Sequence, residues 1–153
     1  MRRLAPATIA AACLAITGCG GHTVTKQDVV ARANGICINA LRAARSLPAP
    51  AGGTGSPAAL AAYLQQLVPI VQKQASQTRA LPRPARDRVI LNRYVAAVTA
   101  GANQYRALEI AAKKGDSAAV AQGLAALRTS PAPALAAQYG LTRCNASAGT
   151  GGS

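Results

Sequence analysis

From residue 25 onward the apolar positions recur at steps of three and four, the period of one helix face. Thr25, followed three residues later by Asp28, has the capping-box pattern and opens a first predicted helix over about 26–47. Its apolar face is Val30, Ala33, Cys37, Ala40, Leu41 and Ala44. Arg32, Asn39, Arg42 and Arg45 fall mostly on the other side, and Gly35 is a weak point between them. Pro48 and Pro50 stop this helix, and residues 48–56 read as a flexible loop. Ser56 and Pro57 then form a cap followed by an N1 proline. The second helix runs to about Leu81 on Leu60, Leu64, Leu67, Val71, Gln74, Thr78 and Leu81, with Pro69 expected to kink it.

Pro82-Arg83-Pro84 makes the next corner. A third helix extends to about Lys114 on Leu91, Tyr94, Val98, Gly101, Tyr105, Leu108 and Ala112. Gly115 ends it and Asp116 caps a fourth, whose seam is Val120, Leu124 and Leu127. Ser130, Pro131 and Pro133 interrupt that helix before a short last one ending at Tyr139, where Gly140-Leu141 fits a Schellman stop. Residues 145–153 are small and polar, the composition of a disordered tail. The pattern predicts an all-α domain over 25–144: an antiparallel up-down four-helix bundle with a short extra C-terminal helix.

The first eighteen residues follow a different plan. Met1-Arg2-Arg3 is positively charged, and Leu4 to Ile16 is apolar apart from Pro6 and Thr8. That run suits the apolar region of a signal peptide and falls short of the roughly 20 residues of a membrane-spanning helix. Ile16-Thr17-Gly18-Cys19 follows, and it resembles the bacterial lipobox, an aliphatic residue and two small residues ahead of a cysteine. The resemblance implies that the Cys19 sulfur receives a diacylglyceryl group and that a peptidase cuts just before it. Residues 1–18 would then be a signal peptide and 19–24 a lipidated tether, with the protein exported and held at the outer face of the cell membrane. Two acyl chains, each stabilised by about 0.8 kcal/mol per buried methylene, give stable anchoring where one does not. The competing reading is an ordinary secretory cleavage site, but no A-x-A pattern is better placed. Cys13, inside the apolar run, would leave with the signal peptide.

Cys37 in the first helix and the segment Tyr139-Gly140-Leu141-Thr142-Arg143-Cys144 resemble small alanine-rich lipoproteins of high-GC Gram-positive bacteria. In that group a cysteine in the first helix matches one near the C-terminus. The resemblance implies a location and a shape, with no reaction attached. An even pair of cysteines in an oxidising compartment also reads as a disulfide, Cys37 with Cys144. A reactive thiol is the alternative, but there is no CxxC and the one histidine, His22, lies beside Cys19.

Composition narrows the chemistry. Half the chain is hydrophobic, yet Phe and Trp are absent and Tyr occurs four times, so the core must rest on Ala, Leu, Val and Ile. The net charge of +13 favours anionic partners. Nucleic acid fits poorly, since export removes the chain from it and no aromatics are interleaved for base stacking. Anionic lipid headgroups, a cell-wall polymer or an envelope protein are better matched; simple solubilisation of an alanine-rich surface is the bland alternative. Up-down topology would bring the corner between helices two and three to the tethered end. Arg79, Arg83, Arg86, Arg88 and Arg93 cluster there with Asp87 as the acid among them. A tether of that length reaches at most about 20 Å, within a few screening lengths of about 8 Å from the lipid.

Catalytic patterns are lacking. The four acids, Asp28, Asp87, Glu109 and Asp116, are spread along the chain, which disfavours a paired-carboxylate hydrolase. Zinc ligands and a nucleotide-binding glycine loop have no candidates either, so no cofactor or metal is expected. Two functions remain in view: a non-enzymatic tethered bundle that binds a protein or anionic envelope component, or a lipoprotein that holds a small apolar ligand between its helices. The second would need a chamber of several hundred cubic ångströms lined by Tyr and Leu, opened near Gly101 and Pro69.

Overall fold

The structure, a computed structural model, describes residues 23–50 and 56–145. The predicted signal peptide over 1–18, Cys19, His22, the middle of the 48–56 loop and the tail beyond 145 lie outside the described residues.

Within them the chain is all-helical. Five helices, α1 (Lys26–Arg45), α2 (Pro57–Arg79), α3 (Arg88–Lys113), α4 (Ser117–Arg128) and α5 (Ala132–Tyr139), are joined by turns, with a single 3₁₀ turn at Ala85–Asp87 before α3. Local chemistry sets most of the ends. The Thr25 hydroxyl accepts from the Asp28 amide while the Asp28 carboxylate accepts from the Thr25 amide at 2.9 Å, so both ends of the box are closed. Ser56 and Asp116 cap α2 and α4 by accepting from the Ala59 and Ala119 amides. Gly115 (φ 70°) and Gly140 (φ 94°) turn left-handed, where a side chain would be strained. Each is followed by an amide that reaches back five residues, Asp116 to Ala111 O and Leu141 to Ala136 O, the Schellman geometry.

α2 runs unbroken through Pro69, which stands on the exposed side together with Gln65, whose carbonyl would have received the missing amide. Water can serve that carbonyl, so the proline does not terminate the helix. α1 and α2 end two residues earlier than the periodicity predicts. Leu47 and Leu81 still pack inward, but from the turns beyond the helices.

The helices run up and down. Ala44 and Leu47, at the end of α1, share a cluster with Leu60 and Leu64 at the start of α2. Leu64 and Leu67 of α2 pack with Leu108 late in α3, while Leu81 packs with Leu91 at its start. α3 is the central element and packs against α2, α4 and α5. Its buried surface is therefore broader than a single seam: Val95, Ala97, Ala102 and Ala111 join Leu91, Tyr94, Leu108 and Ala112. α4 and α5 form a fourth layer in two pieces, with Gly123 against Leu108 and Tyr139 reaching back to Asp87. No residue of α4 is fully buried.

Two cores result. One, at the end where α1 begins, gathers Val29, Ala33, Leu91, Tyr94, Leu135, Tyr139 and Leu141; the other gathers Leu60, Leu64, Leu67 and Leu108. Val29, rather than Val30, takes the inward position at the start of α1, a small rotation of the predicted face. The Cys37–Cys144 disulfide joins α1 to the chain beyond α5, with Cα atoms 5.3 Å apart across 107 positions of sequence. Beside it the Arg143 amide donates to Asn34 Oδ1 at 3.0 Å.

Candidate functional site

The α2–α3 corner is built by its apolar residue and its prolines. Leu81 is buried in the first core and anchors the turn, while Pro82 and Pro84 prevent α2 from continuing. The 3₁₀ turn then delivers the chain into α3. Arg79, Arg86, Arg88 and Arg93 are exposed around this corner. Arg83 differs. It is half-buried, its Nη2 donates to the Arg79 carbonyl at 2.9 Å, and its Nε is buried without a partner among the described residues. Arg83 thus caps the end of α2, and four of the five arginines are left facing solvent.

The electrostatics of the corner are unbalanced. The first turn of α3 contains no acid and begins with Arg88, although the N-terminus of a helix carries partial positive charge. Asp87, at the N-cap position, does not cap α3 with its side chain. Its carboxylate instead accepts from the Tyr139 hydroxyl at 3.2 Å. Lys26, in the first turn of α1, places its Nζ 4.9 Å from the centroid of the same Tyr139 ring. The start of α1, the end of α5 and the arginine corner therefore meet at one end of the bundle. Burial pushes the Tyr139 phenol up to about 12, and the charge and hydrogen bond of Asp87 add to the effect.

That end also carries a feature the helical seams do not reveal. Val89, in the first turn of α3, is 75% exposed, the most exposed of the large apolar side chains among the described residues. Arg88 is its chain neighbour, and Arg93 lies four residues on, hence on the same face. Its place off the Leu91–Tyr94–Val98 seam is visible in the sequence to anyone who follows the outward positions as well as the inward ones.

Cys37 and Cys144 are brought together as a structural bridge. The Cys37 sulfur lies 3.7 Å from the Tyr94 hydroxyl and 3.6 Å from Gln74 Nε2. Desolvation holds the Tyr94 phenol up at about 12. Tyr94 and Tyr139 are core residues, while Tyr63 and Tyr105 are half-buried around the second core. Burial raises the Tyr105 phenol as well, with the nearby Tyr63 adding to it.

Among the described residues, two depressions lie along α2 and α3. One of about 720 Å³ lies between the start of α2 and the end of α3, against Pro57, Ala61, Ala112, Lys113 and Lys114. The other, of about 440 Å³, lies between α2 and α3 against Gln72, Lys73, Ser76, Arg79, Thr99 and Asn103. Both are open to solvent and neither is lined by Tyr or Leu. Among the described residues no three His, Cys, Asp or Glu side chains are grouped to hold a metal ion, and no helix is long and apolar enough to cross a membrane. Comparisons of the chain with family models, with curated proteins and with solved structures returned no match.

Proposed function

We propose that this protein is an exported lipoprotein whose helical bundle, anchored through Cys19, binds an anionic component of the cell envelope through its arginine corner. The observation that carries the proposal is that Tyr139 links Lys26 at the start of α1 to Asp87 of the corner, around which Arg79, Arg86, Arg88 and Arg93 are exposed. A tether entering at α1 holds this end, and no other, against the lipid. The position of Arg88 at a helix N-terminus supports the same reading, because an anion there relieves the repulsion between its charge and the helix dipole. A partner protein with an acidic face satisfies the same charges. The rival reading, an apolar ligand held between the helices, is less favoured, since the two depressions along α2 and α3 are open and lined by small or polar residues.

Anchoring and surface binding are separable. In cells, the protein should incorporate labelled palmitate and Cys19→Ala should abolish the labelling; a wild type that takes up no label would refute the lipid anchor. Surface binding is tested on the chain from Gly20 onward, which lacks the lipid but keeps every described residue. Glutamine at Arg79, Arg83, Arg86, Arg88 and Arg93 should weaken its binding to anionic vesicles by up to roughly a thousandfold, given about 1 kcal/mol for each of the four solvent-facing arginines. Arg83→Gln alone should leave binding nearly unchanged and lower stability instead. Equal binding by the wild type and the fivefold variant would end the proposal.

A further inference from the structure

We infer that Val89 enters the hydrocarbon boundary of an anionic bilayer while the surrounding arginines hold the headgroups, so that the corner docks on lipid and not on a wall polymer. This deepens the proposed surface binding and rests on it. The distinction comes from the kind of side chain exposed. A polyanionic polymer offers charge alone, and an apolar side chain in the middle of its binding site gains nothing from it. A bilayer offers phosphate at the headgroups and hydrocarbon just beneath, so a basic ring around an apolar tip matches both layers. Val89 is 75% exposed, and the outward face of the first turns of α3 continues through Asn92, Arg93 and Ala96, all exposed and none acidic, with Arg86 exposed in the 3₁₀ turn just before it.

Direction supports the same end-on pose. Side chains of a helix lean toward its N-terminus, so Val89 points toward the corner and toward the end where α1 begins. Val24, just ahead of α1, is also exposed and apolar. The remaining strongly exposed aliphatics lie elsewhere: Ile38 is in the middle of α1, and Ile110 sits near the far end of α3, about 30 Å from Val89 at the helical rise.

The chain contains no Trp, so a single introduced indole reports on one position. In the chain from Gly20 onward, Val89→Trp should blue-shift its emission on vesicles rich in anionic phospholipid and be quenched by bromine-labelled acyl chains. Ile110→Trp should do neither. Val89→Gln should weaken binding about fivefold, with the arginines intact. If the arginine variant loses binding while Val89→Gln keeps it and the indole at position 89 stays in water, the charge reading stands and the insertion is overturned. If the unmodified chain binds soluble polyphosphate but not anionic vesicles, the lipid surface is overturned as the partner. If it binds neither, the surface reading falls with it.

Discussion

Breaking the Cys37–Cys144 bond should lower the stability of the folded protein by about 4–5 kcal/mol, the chain-entropy value for a closed loop of 107 residues. Domains of this size are stable by only about 5–15 kcal/mol in total, so the expected loss approaches the whole margin. The contacts around the bridge explain why it falls so heavily on this fold. The largest buried side chains are tyrosines and leucines, and no Phe or Trp is available to enlarge the core. The segment after α5 is short, held by Leu141 in the first core and by the hydrogen bond from Arg143 to Asn34. Urea unfolding of Cys37→Ser with Cys144→Ser, set against the oxidised wild type, should show a much lower midpoint. The slope against urea should rise as well, because an unfolded chain without the cross-link exposes more surface. An unchanged midpoint would show that the bridge contributes nothing to the folded state.

The second large effect is alkaline. An unfolded tyrosine releases its proton near pH 10, whereas Tyr94 and Tyr139 retain theirs to about 12. Below pH 10 both states are protonated and stability does not depend on these groups. Between pH 10 and 12 the unfolded state binds fewer protons than the folded one, so stability falls as pH rises. The loss approaches about 2–3 kcal/mol for Tyr94 and is smaller for Tyr139, whose hydroxyl sits beside Asp87 at the end of the bundle where solvent screens it. Helical circular dichroism followed in denaturant across this range should show the fall, and Tyr94→Phe with Tyr139→Phe should remove most of it. Tyrosinate absorbance complete by pH 10 with the helices intact would contradict the burial of the Tyr94 phenol and the hold of Asp87 on the Tyr139 proton.

The sequence exposes the punctuation of this fold better than its faces. Thr25, Ser56 and Asp116 have the hydroxyl or carboxylate a first turn requires, and Gly115 and Gly140 supply the left-handed stop, so the turns are readable one residue at a time. Leu47 and Leu81 mislead because an apolar residue in a turn packs into a core as well as one on a helix, and periodicity counts both alike. The broad buried surface of α3 follows from its central place between α2, α4 and α5. A one-stripe pattern is the signature of a helix with one packed side, and α3 has more than one.

The arginine cluster was legible as a cluster, but not in its division of labour. That Arg83 turns back onto the Arg79 carbonyl depends on the bend made by Pro82 and Pro84, a matter of local backbone path. Asp87 looks in sequence like the acid that tempers its basic neighbours. In the folded chain Tyr139, 52 positions away, donates to it, and only tertiary structure brings the two together.

Because one covalent bond ties position 37 to position 144, the chain between them is a closed ring. A protease that cuts this ring once, in the loop between α1 and α2 for example, produces two pieces that remain joined. Release of any part of the bundle takes either a second cut or a reductant. A nick in this ring is therefore a scar and not a loss: the two fragments stay covalently joined through Cys37 and Cys144.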